Sequence, residues 1–151
     1  LPILQPYVRI YSLAPQTYAL PQVDCRAELA AAVVFAQEIG QPFWVTAGQV
    51  WLAHEAVRSR GPVAALDEMR TAIRMMEAIG LKLGTAYHDA VFGYCCACAG
   101  DVDEARAMIG RAKQAIAEGR DLIYAPEVLR LSAECRFALD PGAQFGAVRT
   151  G

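Results

Sequence analysis

Regularly spaced glycines divide the chain into segments with the residue types of helices. From Asp24 the segment RAELAAAVVFAQEI consists of strong helix formers and stops before Gly40, a residue type typical of helix C-termini. Comparable segments stop at four further glycines, Gly61, Gly80, Gly100 and Gly119. Gly40 and Gly80 are 40 positions apart, and Gly80 and Gly119 are 39 positions apart. A fixed period of this length with two helices in each period is typical of a helical solenoid.

Small and large residues recur at matching positions when the first helix of each period is aligned on its glycine. Thirteen positions past the glycines stand three small residues, Ala53, Gly93 and Ser132, directly preceded by the large apolar Leu52, Phe92 and Leu131. Sixteen positions past the glycines stand Ala56, Cys96 and Cys135, which are small again. Small side chains at one register let neighbouring helices approach closely. The pattern predicts helices at 24–39, 42–59, 62–79, 83–99, 101–118 and 123–139, and it predicts no strand because no run alternates between apolar and polar residues.

The stretch FGYC…GDVDEA resembles the tetratricopeptide repeat. It matches the motif of that family through Phe92, Gly93, Cys96, Gly100, Asp101 and Ala105. Asp89 stands where the family has an aromatic residue, Cys96 stands where it has tyrosine, and the period exceeds the usual length of about 34 residues. The longer period and the phrases IGQPFWVTAG, EAIGLKLG and YAPEVLRLSAE resemble a subgroup found in bacterial maltose-activator-like regulators, predicted ATPases and some nucleotidyl cyclases.

This resemblance covers residues 24–139 and implies an all-α, right-handed superhelix of antiparallel helix pairs, with its binding surface on the concave side. Transferring the groove positions of the family gives nine candidate binding residues: Val50, His54, Arg58, Tyr87, Tyr94, Cys98, Leu129, Arg136 and Phe137. Residues 1–23 contain four prolines that break long helices, so we expect an irregular arm or a degenerate half-repeat there. Residues 140–151 are expected to form a C-terminal tail.

Composition and charge remove several classes of function. The formal net charge of −2 gives no electrostatic case for direct binding of nucleic acid. The longest strictly apolar run is far shorter than the roughly 20 residues of a membrane-spanning helix, so no membrane segment is expected. The five cysteines are an odd number and three are crowded together, so we interpret all five as reduced thiols in a cytoplasmic protein.

The crowded cysteines lie in GYCCACAG, residues 93–100, where packing and metal binding are alternative explanations. Cys96 and Cys135 occupy the small-residue register, so we interpret them as packing residues. Cys95 and Cys98 share a helix face at i and i+3 and could form half of a zinc site, but no second pair of ligands follows nearby. We therefore expect no metal, and we expect Cys98 to be the most accessible thiol.

The sequence contains no complete motif for catalysis or cofactor binding. The segment HEAVR misses the zinc-protease pattern HExxH because Arg58 replaces the second histidine. His88 and Asp89 are adjacent on a helix and point about 100° apart, so spacing alone does not make them an acid–base pair. Phosphate-binding and dinucleotide-binding glycine patterns are absent. We expect no enzyme activity and no cofactor.

Two hypotheses for the function follow. The first is a non-catalytic module that binds a protein or peptide, as the sensor or scaffold part of a larger bacterial regulator. The alternative is a domain that binds a small effector and passes the signal to an ATPase, nucleotidyl cyclase or DNA-binding domain outside this chain. The last helix retains Leu129, Leu131 and Phe137 without a second helix to cover them, so it caps the array alone, continues in a longer array or joins a second copy. We favour the homodimer.

Overall fold

The computed structural model describes residues 4–19 and 23–140, and these residues form helices without a strand. The all-α fold class is therefore confirmed for the described residues. The chain divides into two compact units, Leu1–Lys82 and Leu83–Gly151. The first unit contains α1 (Gln5–Ala19), α2 (Arg26–Glu38), α3 (Pro42–Arg60) and α4 (Leu66–Ala78), and the second contains α5 (Thr85–Ala99), α6 (Val102–Ala117), a short 3-10 turn (Leu122–Tyr124) and α7 (Ala125–Leu139).

The glycines end the helices as the sequence predicts. Gly40, Gly61, Gly80, Gly100 and Gly119 all have positive φ angles. At Gly100, for example, φ is 83° and the backbone N–H donates to Ala97 O, which closes the end of α5. A residue with a side chain is strained in this conformation, so glycine is the residue that fits there. The starts are less well predicted: α4 begins at Leu66 rather than at residue 62, because Pro62 to Ala65 form a turn.

The N-terminal segment contains a helix where the prolines predicted an irregular arm. Pro6 is the second residue of α1, where a helix needs no backbone donor. Pro15 lies further along the same helix and lacks the N–H that would bond the preceding turn. Burial of Pro6 and Ile10, both of which are fully covered, favours the helix despite this lost hydrogen bond. Whether α1 is a degenerate half-repeat stays a prediction, and residues 141–151 of the expected tail lie outside the described residues.

In the first unit α3 is the central helix, because α1, α2 and α4 all pack against it. Val50 and Trp51 of α3 are buried, as are Leu29 of α2 and Met69 of α4. A Cβ added at Gly48 would lie 2.4 Å from Val33 Cγ2, so any side chain there would force Val33 to move. The position of Gly48 near the middle of a helix is explained by this close contact.

In the second unit α5 is the central helix and packs against both α6 and α7. Its small residues allow this, because a Cβ at Gly93 would meet Ile109 Cγ1 at 3.0 Å and the carbonyl oxygen of Ala105 at 3.2 Å. The small residues of the predicted register are all buried, namely Ala53, Gly93, Ser132, Ala56, Cys96 and Cys135. The positions that the sequence predicts to be small are therefore the positions that pack in the interior of each unit. The right-handed superhelix stays a prediction.

The loop before α7 fastens the start of α5 through Asp121. Its carboxylate accepts hydrogen bonds from the backbone N–H groups of Gly84 and Ala86, both at 3.1 Å, and from the Thr85 hydroxyl at 3.4 Å. Asp121 has a φ of 53°, a conformation that aspartate tolerates better than most residues. Tyr124 then stacks on Tyr87 with ring centroids 5.2 Å apart. A residue 35 positions away thus replaces the local N-cap of α5.

Crossing a bilayer takes a helix that is both long and apolar, and none of the helices within residues 4–19 and 23–140 is of that kind.

Candidate functional site

The three candidate residues of the first unit are not an open binding surface. Val50 is buried, and His54 is buried against Trp51 with the two rings 5.0 Å apart. Arg58 is half-buried, and its guanidinium group donates to the carboxylate of Glu55 at 3.2 and 2.5 Å. Val50 and His54 therefore face the interior of the unit, and Arg58 is only partly accessible.

Glu55 is the most unusual polar residue of the first unit because it is completely buried. Its carboxylate pairs with Arg58, and this hydrogen bond raises the pKa of the arginine. Ser59 donates to the carbonyl oxygen of Glu55 at 2.7 Å, and Arg26 of α2 donates to the Ser59 hydroxyl at 3.2 Å. Burial, together with the charge of Glu55, raises the pKa of the neighbouring Cys25 thiol. The cluster is a satisfied ion pair that ties α2 to α3, and it contains no activated nucleophile.

The six candidates of the second unit differ widely in exposure. Tyr87 is buried in its stack with Tyr124, whereas Tyr94 and Cys98 are half-buried. The remaining three lie on α7 and are exposed: Leu129, Arg136 and Phe137. The structure thus leaves Tyr94, Cys98 and the three residues of α7 accessible to a partner, and it places Tyr87 in the interior.

Tyr94 lies beside Cys98 and within reach of the charge of Glu134 on α7, a residue that the sequence did not single out. A hydrogen bond with Cys98, followed by burial, raises the pKa of Tyr94 to about 12, and the charge of Glu134 adds to this. Glu134 also pairs with Arg130, which a second carboxylate, that of Glu127, contacts at 2.5 Å. Sequence alignment missed Glu134 and Arg130 because the repeat motif fixes packing positions and not the rotation of the last helix.

The cysteines around α5 divide between its two neighbours. Cys96 contacts α6 through Glu104 Oε2 at 3.6 Å, while burial raises the pKa of Cys95 and of Cys135 on α7 to about 12 each. Thiols with such pKa values stay protonated at neutral pH and are poor nucleophiles and metal ligands. Among the residues that the structure describes, no three His, Cys, Asp or Glu side chains are arranged to hold a metal ion. The burial of Cys96 and Cys135 agrees with their interpretation as packing residues.

His88 and Asp89 contact different groups. Asp89 pairs with Arg111 of α6 at 3.2 Å. His88 is buried, and burial lowers its pKa to about 4 against a smaller opposing effect of the Asp121 charge. At neutral pH this buried imidazole beside the cap of α5 is therefore uncharged.

Two surface grooves were not predicted from the sequence. The first lies among α2, α3 and α4, has a volume of about 530 Å³ and has a floor that includes Leu52, Ala56 and Met75. The second lies between α6 and α7, has a volume of about 420 Å³ and has a floor that includes Ile109 and Leu139. No motif marks either groove, since each is formed by residues from separate helices.

No protein family, no curated protein and no solved structure matches this chain. The resemblance to tetratricopeptide repeats therefore rests on the sequence positions given above, and the function is inferred from the geometry of the two units.

We expect Cys98 to react first with a thiol reagent under native conditions. It is the only half-buried cysteine of the five, all of which lie in the described part of the chain, and the other four are buried. Labelling followed by mass spectrometry should show one fast adduct, at Cys98, and four that appear only on unfolding. Cys98→Ser should remove the fast phase alone. A fast adduct at Cys95, Cys96 or Cys135 would contradict the packing described for α5.

Burial of His88 should make the protein less stable in mild acid. Above pH 6.5 the imidazole is neutral in both states, but below it the unfolded chain takes up a proton that the folded chain accepts only near pH 4. The free energy of unfolding should therefore fall by about 3 kcal/mol as the pH drops from 6.5 to 4. Urea unfolding of wild type and His88→Gln across this range measures the effect. The two curves should diverge in acid, and parallel curves would show that His88 is not buried in its neutral form.

Proposed function

We propose that this chain is a non-catalytic module that binds a protein or peptide partner, with a contact surface on the outer face of α7. The observation that carries the proposal is the α7 stripe, which comprises Leu129, Ala133 and Phe137. Leu129 is 61% exposed and Phe137 is 52% exposed. Spacings of four residues place the three side chains on one helix face. Contiguous exposed apolar side chains of this size are typical of interaction sites, and aromatic residues are frequent anchors there.

The titratable groups support a binding role rather than catalysis. The cysteines with a shifted pKa, Cys25, Cys95 and Cys135, are all shifted upward. A catalytic thiol needs the opposite shift, and a catalytic histidine needs a pKa near the working pH rather than the value of about 4 at His88. The proposal also includes what the sequence led us to expect. The chain would be a tetratricopeptide-like repeat domain of a larger bacterial regulator in the cytoplasm, and it would not contact nucleic acid directly.

A second candidate function is supported by the groove among α2, α3 and α4. Its volume of about 530 Å³ lies within the range of about 300–1,000 Å³ that small-molecule sites occupy. Its rim includes Arg26, Arg60 and Glu68, so a polar ligand would find both charges. In this alternative the groove binds a small effector and the chain passes the signal to an ATPase, cyclase or DNA-binding domain outside it. Arg60 and Glu68 already pair with each other at 2.5 Å, which is why we rank this candidate second.

The C-terminal helix also supports a second copy of this chain as a partner. In an antiparallel pairing of two α7 helices centred on Ala133, each Leu129 would face Phe137 of the other copy, so the stripe is self-complementary. Ala133 at the centre would let the two helices approach closely. Leu131, which the sequence also suggested as a contact, is buried and belongs to the core of the unit. A substitution at Leu131 would therefore test folding rather than dimerisation.

Leu129→Glu and Phe137→Glu test the proposal on exposed positions. Peptides selected by display against the wild-type chain should lose at least tenfold in affinity for both variants, because each change places a charge in the contact surface. Val34→Glu, which also replaces an exposed apolar side chain by a charge but lies on α2, is the control and should leave these affinities unchanged. Sedimentation at micromolar concentration shows whether a second copy competes for the surface.

The proposal fails if selection yields no binder, or if every selected binder is insensitive to both changes. Loss of a dimer in the two α7 variants would assign the surface to self-association, which is itself a protein-binding function.

A further inference from the structure

The groove between α6 and α7 is lined by one stripe from each helix, and the two stripes have the same spacing. On α6 the lining residues include Arg106, Ile109, Gly110 and Lys113, with Ala105 beside them, and on α7 they include Ser132, Cys135, Arg136 and Leu139. Both sets follow the spacing i, i+3, i+4 and i+7, which places four residues on one face over two helical turns. Each stripe is thus about 10 Å long, a length that suits two turns of a third helix.

Three cations stand around this groove and have no ion-pair partner among the residues that the structure describes. They are Arg106 and Lys113 on α6 and Arg136 on α7, all of them exposed, and Asp140 at the end of α7 is the one acidic residue of the lining. The chain as a whole has a net charge of −2, so the positive rim is a local feature and not a consequence of composition. Positive rims attract partners of opposite charge and reject those of like charge.

Gly110 lies in the middle of the α6 stripe and leaves space there because it has no side chain. A Cβ added there would meet no atom within 4 Å, in contrast to Gly93 and Gly48, which pack against neighbouring helices. Glycine inside a helix is less stable than alanine by about 1 kcal/mol, and no contact within the described structure requires it. Its absence of a side chain leaves room for a partner to lie close to the α6 backbone.

We infer that the α6–α7 groove docks an acidic amphipathic helix of a partner protein. The apolar face of that helix covers Ile109 and Leu139, its backbone passes over Gly110, and its Asp or Glu residues pair with Arg106, Lys113 and Arg136. This inference rests on the proposed function, because it assigns a class of partner to a protein-binding module, but it concerns a different surface from the α7 stripe.

Charge decides between this partner and the nearest alternative, the C-terminal residues of the chain itself. Residues 141–151, PGAQFGAVRTG, contain one arginine and no acidic residue. A segment of this charge would add a fourth cation to three unpaired ones, whereas an acidic helix neutralises them.

Synthetic peptides test the inference directly. A panel of fluorescent amphipathic helices with leucines at i, i+4 and i+7 flanked by glutamates is titrated with the full chain, beside a matched panel in which lysines replace the glutamates. We expect the acidic peptides to bind at least tenfold more tightly than the basic ones and to weaken as salt is added. Equal binding of the two panels, or no binding of either at millimolar concentration, would overturn the inference.

Two variants locate the binding site. Lys113→Glu should weaken the acidic peptides by roughly tenfold and improve the basic ones, whereas Arg74→Glu, the same type of charge change on exposed α4, should do neither. Gly110→Leu should fill the groove and abolish binding while the melting temperature stays the same or rises, since leucine favours helix more than glycine does. If Gly110→Leu fails to fold, Lys113→Glu still decides the question.

The same variants separate this inference from the proposed function. Acidic peptides whose binding is insensitive to Lys113→Glu but lost in Leu129→Glu would occupy the α7 stripe, which refutes the groove and retains the protein-binding module. Tighter binding after removal of residues 141–151 would show that the chain's own C-terminus covers the groove, and this also refutes the inference. A display selection that yields no binder for the wild-type chain, by contrast, refutes the module itself.

Discussion

The close approach of α5 to α6 at Gly93 is the constraint on which the second unit depends. A side chain at this position would meet the carbonyl oxygen of Ala105 at 3.2 Å, and a backbone atom inside a helix cannot move aside cheaply. The short distance between α5 and α6 fixes which face of α6 is buried, since Ala105, Ala112 and Ala115 turn inward. Ala105 and Ile109, the α6 residues that approach Gly93, also line the cation-rimmed groove between α6 and α7. The glycine at position 93 of α5 therefore determines which residues of α6 can line the groove.

The helix ends and the positions of small residues could be predicted from the sequence because their causes are local. A glycine with positive φ ends a helix wherever it stands, and a small residue at a crossing is small for steric reasons that no neighbour can override. The helix at Gln5–Ala19 could not be predicted in this way, because the burial of Ile10 outweighs the proline penalty only once α2 and α3 are in place. The capping of α5 by Asp121 could not be predicted either, because the backbone N–H groups that its carboxylate accepts from are 35 to 37 residues away in the sequence.

The candidate binding site was only partly predictable, because the sequence does not show which faces of each helix are covered by its neighbours. Candidate positions were transferred from an alignment of first helices, as if each had one free face. In the structure α3 packs against α1, α2 and α4, and its residues Val50 and His54 are buried. Tyr87 of α5 is buried in its stack with Tyr124. The last helix packs against α5 and α6 and still keeps Leu129 and Phe137 exposed. Whether the accessible candidates form a concave surface stays a prediction, and the α6–α7 groove has no sequence signal because it arises between two helices.

The most direct test of this account compares the same substitution at two helical glycines of the second unit. Gly93→Ala should lower the free energy of unfolding by about 1–3 kcal/mol, because the added methyl group meets Ile109 and the α6 backbone. Gly110→Ala should raise it by about 0.5–1 kcal/mol, because nothing lies within 4 Å of the added atom and alanine favours helix. Urea unfolding of the two variants beside wild type should therefore give changes of opposite sign. A neutral or stabilising Gly93→Ala would contradict the close approach of α5 and α6 and the groove geometry that follows from it.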